Sequence, residues 1–225
     1  MHSIFVYHTI SSPPAPLPAN IDVSADLFET HLEWLSKHRK MATLDQILSC
    51  ADSVSLSAVT FDDGFRDNLT TALPLLKKYN VPAAIFVTPD FLDKKDYLTR
   101  EELQSLSGNP LITIGAHGLT HQHFSRLSRS DARHELLESK AQLQEITGRT
   151  IDLMAWPYGD CNSELEILAE VCGYRAAWSV WNGDNSQYSL WRVPIGRPDN
   201  LVRFIAKASK YYFPVKQFIR PAKTT

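Results

Sequence analysis

Short apolar runs alternate with helical patterns along most of the chain. Seven runs rich in β-branched residues predict strands at residues 3–8, 57–61, 83–88, 111–116, 151–156, 175–180 and 191–195. Five segments with apolar residues three or four positions apart predict helices at residues 25–38, 68–79, 130–147, 163–172 and 200–210. This alternation favours parallel strands wrapped by helices, in a barrel or an open sheet.

Residue types at the ends of the helical patterns support these boundaries. Ser24 precedes the first helical pattern and is a typical N-cap. The second pattern stops at Asn80, shortly before Pro82. Gly148 follows the third pattern and predicts its C-terminal end.

Several polar residues directly follow predicted strands. They are His8, Asp62, Asp63, His117 and Tyr158. In a β/α barrel the chemistry gathers at the carboxyl ends of the strands. This coincidence favours a barrel in which these residues share one site.

Two short motifs among these residues have the composition of a metal site. Asp62 and Asp63 would point to opposite faces of a strand, so both can face one site only if the strand breaks into a turn, which Gly64 permits. His117 and His121 are spaced to lie on one side of a helical turn. One carboxylate and two imidazoles leave a coordination position open for water, as in catalytic divalent sites, and the second carboxylate could act as a base. Either motif alone is more often an ordinary solvated turn or a pair of surface histidines; together they favour the metal site.

The composition is that of one globular domain. The chain has 225 residues, of which 44% are hydrophobic, which is enough for a core. The charged share of 21% is ordinary. A net charge of −2 without a basic block argues against nucleic-acid binding. The three cysteines have no disulfide or zinc spacing. Without a signal-peptide pattern or a long apolar stretch, we expect a cytoplasmic protein with no membrane span.

With these residues identified, the chain resembles the polysaccharide deacetylases of the NodB-homology type, carbohydrate esterase family four. Residues 60–64 match the motif T-F-D-D-G, and residues 117–121 match H-x-x-x-H. Residues 155–159, Ala-Trp-Pro-Tyr-Gly, are similar to the third motif, R-x-P-Y-G. Residues 6–9 and 22–48 resemble the N-terminal part of a subgroup active in exopolysaccharide and cell-envelope biosynthesis.

The resemblance implies a single-domain, distorted (β/α)7 barrel, here residues 1–210 followed by a C-terminal tail at 211–225. It also implies one divalent metal ion, usually zinc and sometimes cobalt or nickel, and removal of the N-acetyl group from an N-acetylhexosamine. Carried over by position, Asp63, His117 and His121 would be the metal ligands and Asp62 the general base. Tyr158 would offer its backbone N–H to the oxyanion. We expect an N-acetylated sugar or glycan as substrate, with possible peripheral association at the inner membrane face.

The sequence departs from the family pattern at two positions. Ala155 stands where the third motif usually has an arginine that holds the base, and Arg192 or Arg197 could supply this guanidinium. The usual C-terminal histidine acid is absent, because no histidine follows His134. We expect His8 to replace it, since the first strand of a closed barrel lies beside the last.

Further residues are assigned from their type and position. The predicted substrate contacts are Trp156, Pro157, Trp181, Arg192 and Arg197, with Trp181 in a loop that suits sugar stacking. The tail is expected to pack on the barrel or to cover a partner surface. His123 is expected at the surface or behind the ligands, and Asp160 to cap a helix. The histidines expected in solvent are His2, His31, His38 and His134.

Two other functions remain open from the sequence. One is hydrolysis of another linear or cyclic amide by a member of the same superfamily. The other is a catalytically silent glycan-binding module, favoured by the missing arginine and histidine but opposed by the intact base and ligands. The sugar, its length, the native metal and the oligomeric state are not determined by the sequence.

Overall fold

The computed structural model describes residues 2–11, 18–50, 54–180, 185–209 and 211–212. In these ranges the strands are β1 (Ser3–Tyr7), β2 (Thr9–Ser11), β3 (Asp22–Ser24), β4 (Ser57–Phe61), β5 (Ala83–Val87), β6 (Ile112–Ala116), β7 (Leu153–Ala155), β8 (Ala176–Trp178) and β9 (Val193–Pro194). The α-helices are α1 (Ala25–His38), α2 (Leu44–Leu48), α3 (Leu73–Tyr79), α4 (Arg100–Ser107), α5 (Arg129–Thr147), α6 (Ser163–Val171) and α7 (Leu201–Lys207).

Seven strands form one parallel sheet in the order β8-β7-β6-β5-β4-β1-β9. Each of the seven predicted strands corresponds to one of them. The two ends of the sheet approach each other, because Trp178 of β8 forms a parallel bridge with Leu190, shortly before β9. The curled sheet and its surrounding helices confirm the predicted distorted (β/α)7 barrel.

The central strands are apolar because both of their faces are covered. Every residue of β4 and of β5 is buried, as expected for a parallel sheet with helices packed against it. The aromatic side chains of β1 and β4 meet in the core, with the rings of Tyr7 and Phe61 5.8 Å apart. The apolar side chains of these predicted strands therefore fill the interior of the barrel.

Most predicted helix ends are confirmed, with small shifts in position. Ser24 accepts the backbone N–H of Leu27 and caps α1. Asn80 ends α3 in the left-handed conformation at φ 51°, and Gly148 ends α5 at φ 65°. The first part of the predicted second helix is a π-helical turn, Asn68–Ala72.

Two short helices and one small sheet were not predicted. Helices α2 and α4 each begin with a capping box, in which the side chains of Thr43 and Gln46, or of Thr99 and Glu102, bond to each other's backbone N–H. Strands β2 and β3 form a separate parallel pair. These elements are too short for a clear hydrophobic period, although the capping boxes were readable.

The predicted exposure of His31 is wrong. His31 is fully buried, and its ring stacks on Phe204 of α7 at 4.0 Å. Its Nε2–H donates to the carbonyl of Asp199 (2.8 Å), so Nδ1 accepts from the Tyr7 hydroxyl (3.1 Å). The physical reason is helical position: His31 lies on the face of α1 that also buries Phe28 and Leu35.

The remaining expectations concern the tail and the membrane. Only Tyr211 and Tyr212 of the predicted tail are described; residues 213–225 lie outside the described part, so its packing stays a prediction. Among the described helices, none combines the length and the apolar character that crossing a bilayer requires.

Candidate metal centre

Asp62 and Asp63 reach one site because the chain turns sharply after β4. The Asp62 N–H still donates to Tyr7 of β1 (3.0 Å), continuing the strand pairing. Asp63 and Gly64 then adopt left-handed conformations, at φ 72° and 79°. At Gly64 a Cβ atom would also lie 3.1 Å from a Val87 methyl group. The turn predicted from Gly64 is confirmed.

The histidine pair lies in a loop at the end of β6. The predicted helical turn is wrong, because Gly118 and His121 have positive φ angles of 71° and 61°, incompatible with a right-handed helix. The two rings nevertheless approach each other, with centroids 5.0 Å apart. The H-x-x-x-H spacing therefore brings the rings together through an irregular loop.

Glu135 of α5 holds this loop in place. Its buried carboxylate accepts the backbone N–H groups of Leu119 (2.7 Å) and Thr120 (2.9 Å) and also the Thr120 hydroxyl. Sequence reasoning missed Glu135. The available signal was a charged residue on the face of α5 that buries Ala132 and Leu136.

Asp63, His117 and His121 form a group that could hold a metal ion. One ligand atom from each residue lies within 4.8 Å of the others. Asp63 Oδ1 is 3.2 Å from His121 Nε2 and 3.5 Å from His117 Nε2. This oxygen is buried, and within the described ranges no group donates a hydrogen bond to it. A buried carboxylate oxygen facing two imidazole nitrogens fits a divalent cation.

The protonation state of His117 suits a ligand. Its Nδ1 lies 2.8 Å from the Ala155 carbonyl, which can only accept, so Nδ1 carries the proton and Nε2 keeps its lone pair. Burial lowers the pKa of His117 to about 4, although Asp62 and Asp63 oppose this shift. The ring is therefore neutral at neutral pH, as metal binding requires.

Asp62 is held by Arg192. The guanidinium nitrogens of Arg192 lie 2.6 and 2.8 Å from the two carboxylate oxygens, and one also donates to the Thr60 hydroxyl (3.2 Å). Burial would raise the pKa of Asp62, but Arg192 and His117 outweigh it and lower the pKa to about 2. The carboxylate therefore stays ionised and fixed in orientation.

The two arginines proposed to replace the missing motif residue differ in position. Arg192 contacts Asp62 and is fully buried, so its side chain is not exposed to a substrate. Arg197 instead forms an ion pair with Asp22 at 2.6 Å. The assignment of Arg197 to the base is therefore wrong: its position after β9 directs its side chain to the first residue of β3.

A cavity of about 800 Å³ opens in front of the three candidate ligands, and His8 and Tyr158 contribute to its wall. His8 follows β1, which pairs with β9 as the closed-barrel argument predicted. Its Nδ1 is buried and accepts or donates no hydrogen bond within the described chain. Tyr158 has φ 60° and is 55% exposed, and its ring forms a T-shaped pair with His121 at a centroid distance of 4.6 Å.

Two residues near Tyr158, His123 and Asp160, were assigned from the sequence. His123 has a partly exposed side chain that stacks on the Tyr158 ring, with centroids 3.9 Å apart. Asp160 does not cap α6; its carboxylate accepts the Ser125 N–H and hydroxyl, while Asn162 caps the helix. Local hydrogen bonding to the neighbouring loop decides this position.

The predicted aromatic contacts are less accessible than expected. Trp156 is fully buried, with its indole N–H donating to Tyr188 (2.8 Å), so its ring offers no stacking surface to a sugar. Pro157 is also buried and begins the turn that contains Tyr158. Trp181 lies outside the described residues, and sugar stacking there stays a prediction.

Comparison with known proteins agrees with this geometry. A family model described as polysaccharide deacetylase matches residues 51–177. The chain is 29% identical over 202 residues to YxkH of Bacillus subtilis (strain 168), named as a polysaccharide deacetylase, covering 85% of this chain and 70% of that one. It is 24% identical to a poly-beta-1,6-N-acetyl-D-glucosamine N-deacetylase of Staphylococcus aureus (strain MSSA476), covering 72% of this chain and 62% of that one.

A solved structure has the same fold. The deacetylase PplD of Streptococcus pyogenes, in complex with acetate, superposes with a TM-score of 0.82 at 21% identity. The match covers 92% of this chain and 97% of that one.

Proposed function

Because the chain belongs to the polysaccharide deacetylase family, we propose that it removes the N-acetyl group from an N-acetylhexosamine-containing glycan in a metal-dependent reaction. One observation carries this proposal: an Asp63 oxygen that has no hydrogen-bond donor among the described residues faces two imidazole nitrogens, directly beside the Asp62 carboxylate held by Arg192. The site thus combines a ligand set with an ionised, oriented carboxylate.

The metal would be held by Asp63, His117 and His121. Two imidazoles and one carboxylate suit zinc, and also cobalt or nickel. A divalent ion at these ligands supplies a water of raised acidity and polarises the amide carbonyl. This matters for Asp62, because a carboxylate with a pKa of about 2 is a weak base and accepts a proton only from an acidic donor.

The chain's own residues would move the protons and stabilise charge. Asp62 accepts a proton from the attacking water as the new carbon–oxygen bond forms. His8, on the adjacent strand end, donates a proton to the departing nitrogen as the carbon–nitrogen bond breaks. The products are acetate and an amine. The backbone N–H of Tyr158 would stabilise the oxyanion, where one donor contributes roughly 3–4 kcal/mol.

The substrate class is proposed from the relatives and the cavity. The Staphylococcus aureus relative is named for poly-beta-1,6-N-acetyl-D-glucosamine. A cavity of about 800 Å³ is large enough for a sugar unit. We therefore propose a glycan or glycan precursor that contains N-acetylglucosamine.

The direct test is acetate release from N-acetylglucosamine oligosaccharides. Chelator-treated protein should release no acetate, and protein reloaded with zinc, cobalt or nickel should regain release. Acetate release that is equal with and without metal would contradict metal dependence. No release by protein that binds one ion per chain would contradict the substrate class.

A further inference from the structure

The cavity has a second polar wall, formed by residues with no role in the proposed chemistry. The Lys207 ammonium of α7 donates to the Pro194 carbonyl at the end of β9 (2.7 Å). Lys207 and Asp199 both line the cavity that contains the candidate ligands. This wall therefore lies at the same end of the barrel as the metal centre.

Strand pairing places the wall relative to the catalytic groups. Pro194 pairs with Val6 of β1, and Asp62 donates its N–H to Tyr7 on the opposite side of β1. The order across the mouth is thus β9 with Lys207, β1 with His8, and β4 with Asp62. At about 4.8 Å per strand, the end of β9 to which Lys207 bonds and the end of β4 that Asp62 follows are about 10 Å apart.

Lys207 and Asp199 form a hydrogen-bonded pair that can accommodate further hydrogen bonds. Lys207 Nζ lies 2.8 Å from Asp199 Oδ2, which also accepts the Gly196 N–H (2.8 Å). The ammonium has three donors, and its two partners in the described structure are Asp199 and Pro194. Both of these contacts to the Asp199 carboxylate use Oδ2, so neither of them occupies Oδ1. The wall thus offers one donor beside one acceptor.

We propose that Lys207 and Asp199 bind hydroxyl groups of the sugar whose acetamido group lies at the metal centre. This inference rests on the proposed function and names a specificity determinant within it. A hydroxyl both donates and accepts, so adjacent hydroxyls complement an ammonium and a carboxylate oxygen side by side. An anionic group would meet the Asp199 charge, so the pair selects an uncharged ring.

A purely structural role for Lys207 must be separated from this one. Lys207 ties α7 to the loop after β9, and a substitution there could loosen the loop. Arg203 provides a matched control, because it also joins α7 to this loop, through the Pro198 carbonyl (3.2 Å). Arg203 is not part of the cavity wall.

The test compares Lys207→Met with Arg203→Met. The readouts are KM and kcat for acetate release from N-acetylglucosamine oligosaccharides, and Kd of the same oligosaccharides by calorimetry on metal-free protein. Hydrolysis of p-nitrophenyl acetate, which has no sugar ring, controls for the catalytic groups. We expect Lys207→Met to raise KM and Kd about tenfold, the effect of one hydrogen bond to a charged group, with kcat and ester hydrolysis nearly unchanged.

Each outcome has a distinct meaning. Equal effects of the two variants, or no change in Kd for Lys207→Met, would overturn the inference. Tighter binding of a phosphorylated N-acetylglucosamine that depends on Lys207 would also overturn it. Oligosaccharide binding that depends on Lys207, without acetate release by the metal-loaded protein, would support this inference and contradict the proposed function.

Discussion

Arg192 and Asp62, 130 positions apart in the chain, form a two-point ion pair inside the protein, with nitrogen–oxygen distances of 2.6 and 2.8 Å. The planar guanidinium matches both carboxylate oxygens, which a lysine ammonium cannot do. This contact supplies what the family's third motif would normally provide at the position of Ala155. Asp62, the proposed base, is therefore held by the residue that directly precedes β9 rather than by one in β7.

Removing the guanidinium should affect stability and turnover separately. Arg192→Met leaves a buried carboxylate without its partner, so the free energy of unfolding should fall by about 3–5 kcal/mol. Arg192→Lys keeps the charge but loses the two-point contact. This variant should remain folded and lose at least about tenfold in kcat. A misoriented Asp62 needs to raise the activation free energy by only about 1.4 kcal/mol to have this effect.

Urea unfolding and acetate release measure these two effects. Arg175→Met is the control, since the ion pairs of Arg175 with Asp45 and Asp152 lie at the surface, where such a pair is worth about 0–1 kcal/mol. Wild-type turnover in Arg192→Lys would show that the bidentate contact does not position the base.

His8 is predicted to be the acid for the leaving nitrogen. His8→Ala should fold and bind its metal ion but lose about 10²–10⁴ in turnover, the usual contribution of a general acid. Metal content and kcat are measured on the same preparation. Turnover close to that of the wild type would exclude this role for His8.

Glu135 is predicted to tune metal binding without contacting the ion. Its carboxylate holds two backbone N–H groups of the loop between His117 and His121, so Glu135→Gln should loosen that loop. We expect metal affinity to fall about 10–100-fold, as for other residues that support ligands. Competition with a chromophoric chelator measures this affinity.

The control is Glu145→Gln, an exposed position on the same helix. Equal metal affinity in Glu135→Gln and Glu145→Gln would contradict the supporting role of Glu135.

The burial of His31 predicts acid sensitivity of the fold. Burial lowers the pKa of His31 to about 4, against about 6.5 in the unfolded chain, so the unfolded state binds more protons between these values. Stability should therefore fall as pH drops from 6.5 toward 4. At pH 4.5 the loss from this group alone is roughly 2 kcal/mol relative to pH 7.

Urea unfolding of wild type and His31→Gln at both pH values isolates the contribution of His31 to the pH dependence of stability. The variant is less stable at pH 7 but should lose less on acidification. An identical pH dependence in the two proteins would show that His31 titrates normally in the folded state.

The sequence was sufficient to predict the structural features that depend on the local pattern of residues. Seven apolar runs located the seven strands of the sheet, because fully buried parallel strands are continuously apolar. The turn at Asp63 was predictable from Gly64, which tolerates the left-handed conformation. The candidate ligand group of Asp63, His117 and His121 was predictable from residue type and from the rule that the ends of parallel strands converge.

Long-range packing was not readable from the chain. Whether Arg192 or Arg197 reaches Asp62 depends on how β9 enters the barrel, and only the fold distinguishes them. The loop from His117 to His121 is shaped by Glu135, a residue on another element, so local spacing alone suggested a helical turn.

The most direct test of the account compares wild type with Asp62→Asn, each loaded with zinc and assayed for acetate release from N-acetylglucosamine oligosaccharides. Asp62 is not one of the proposed ligands, so both proteins should bind one ion per chain. The account predicts that only the wild type releases acetate at an appreciable rate. Comparable release by Asp62→Asn at full metal content would contradict the assignment of Asp62 as the base.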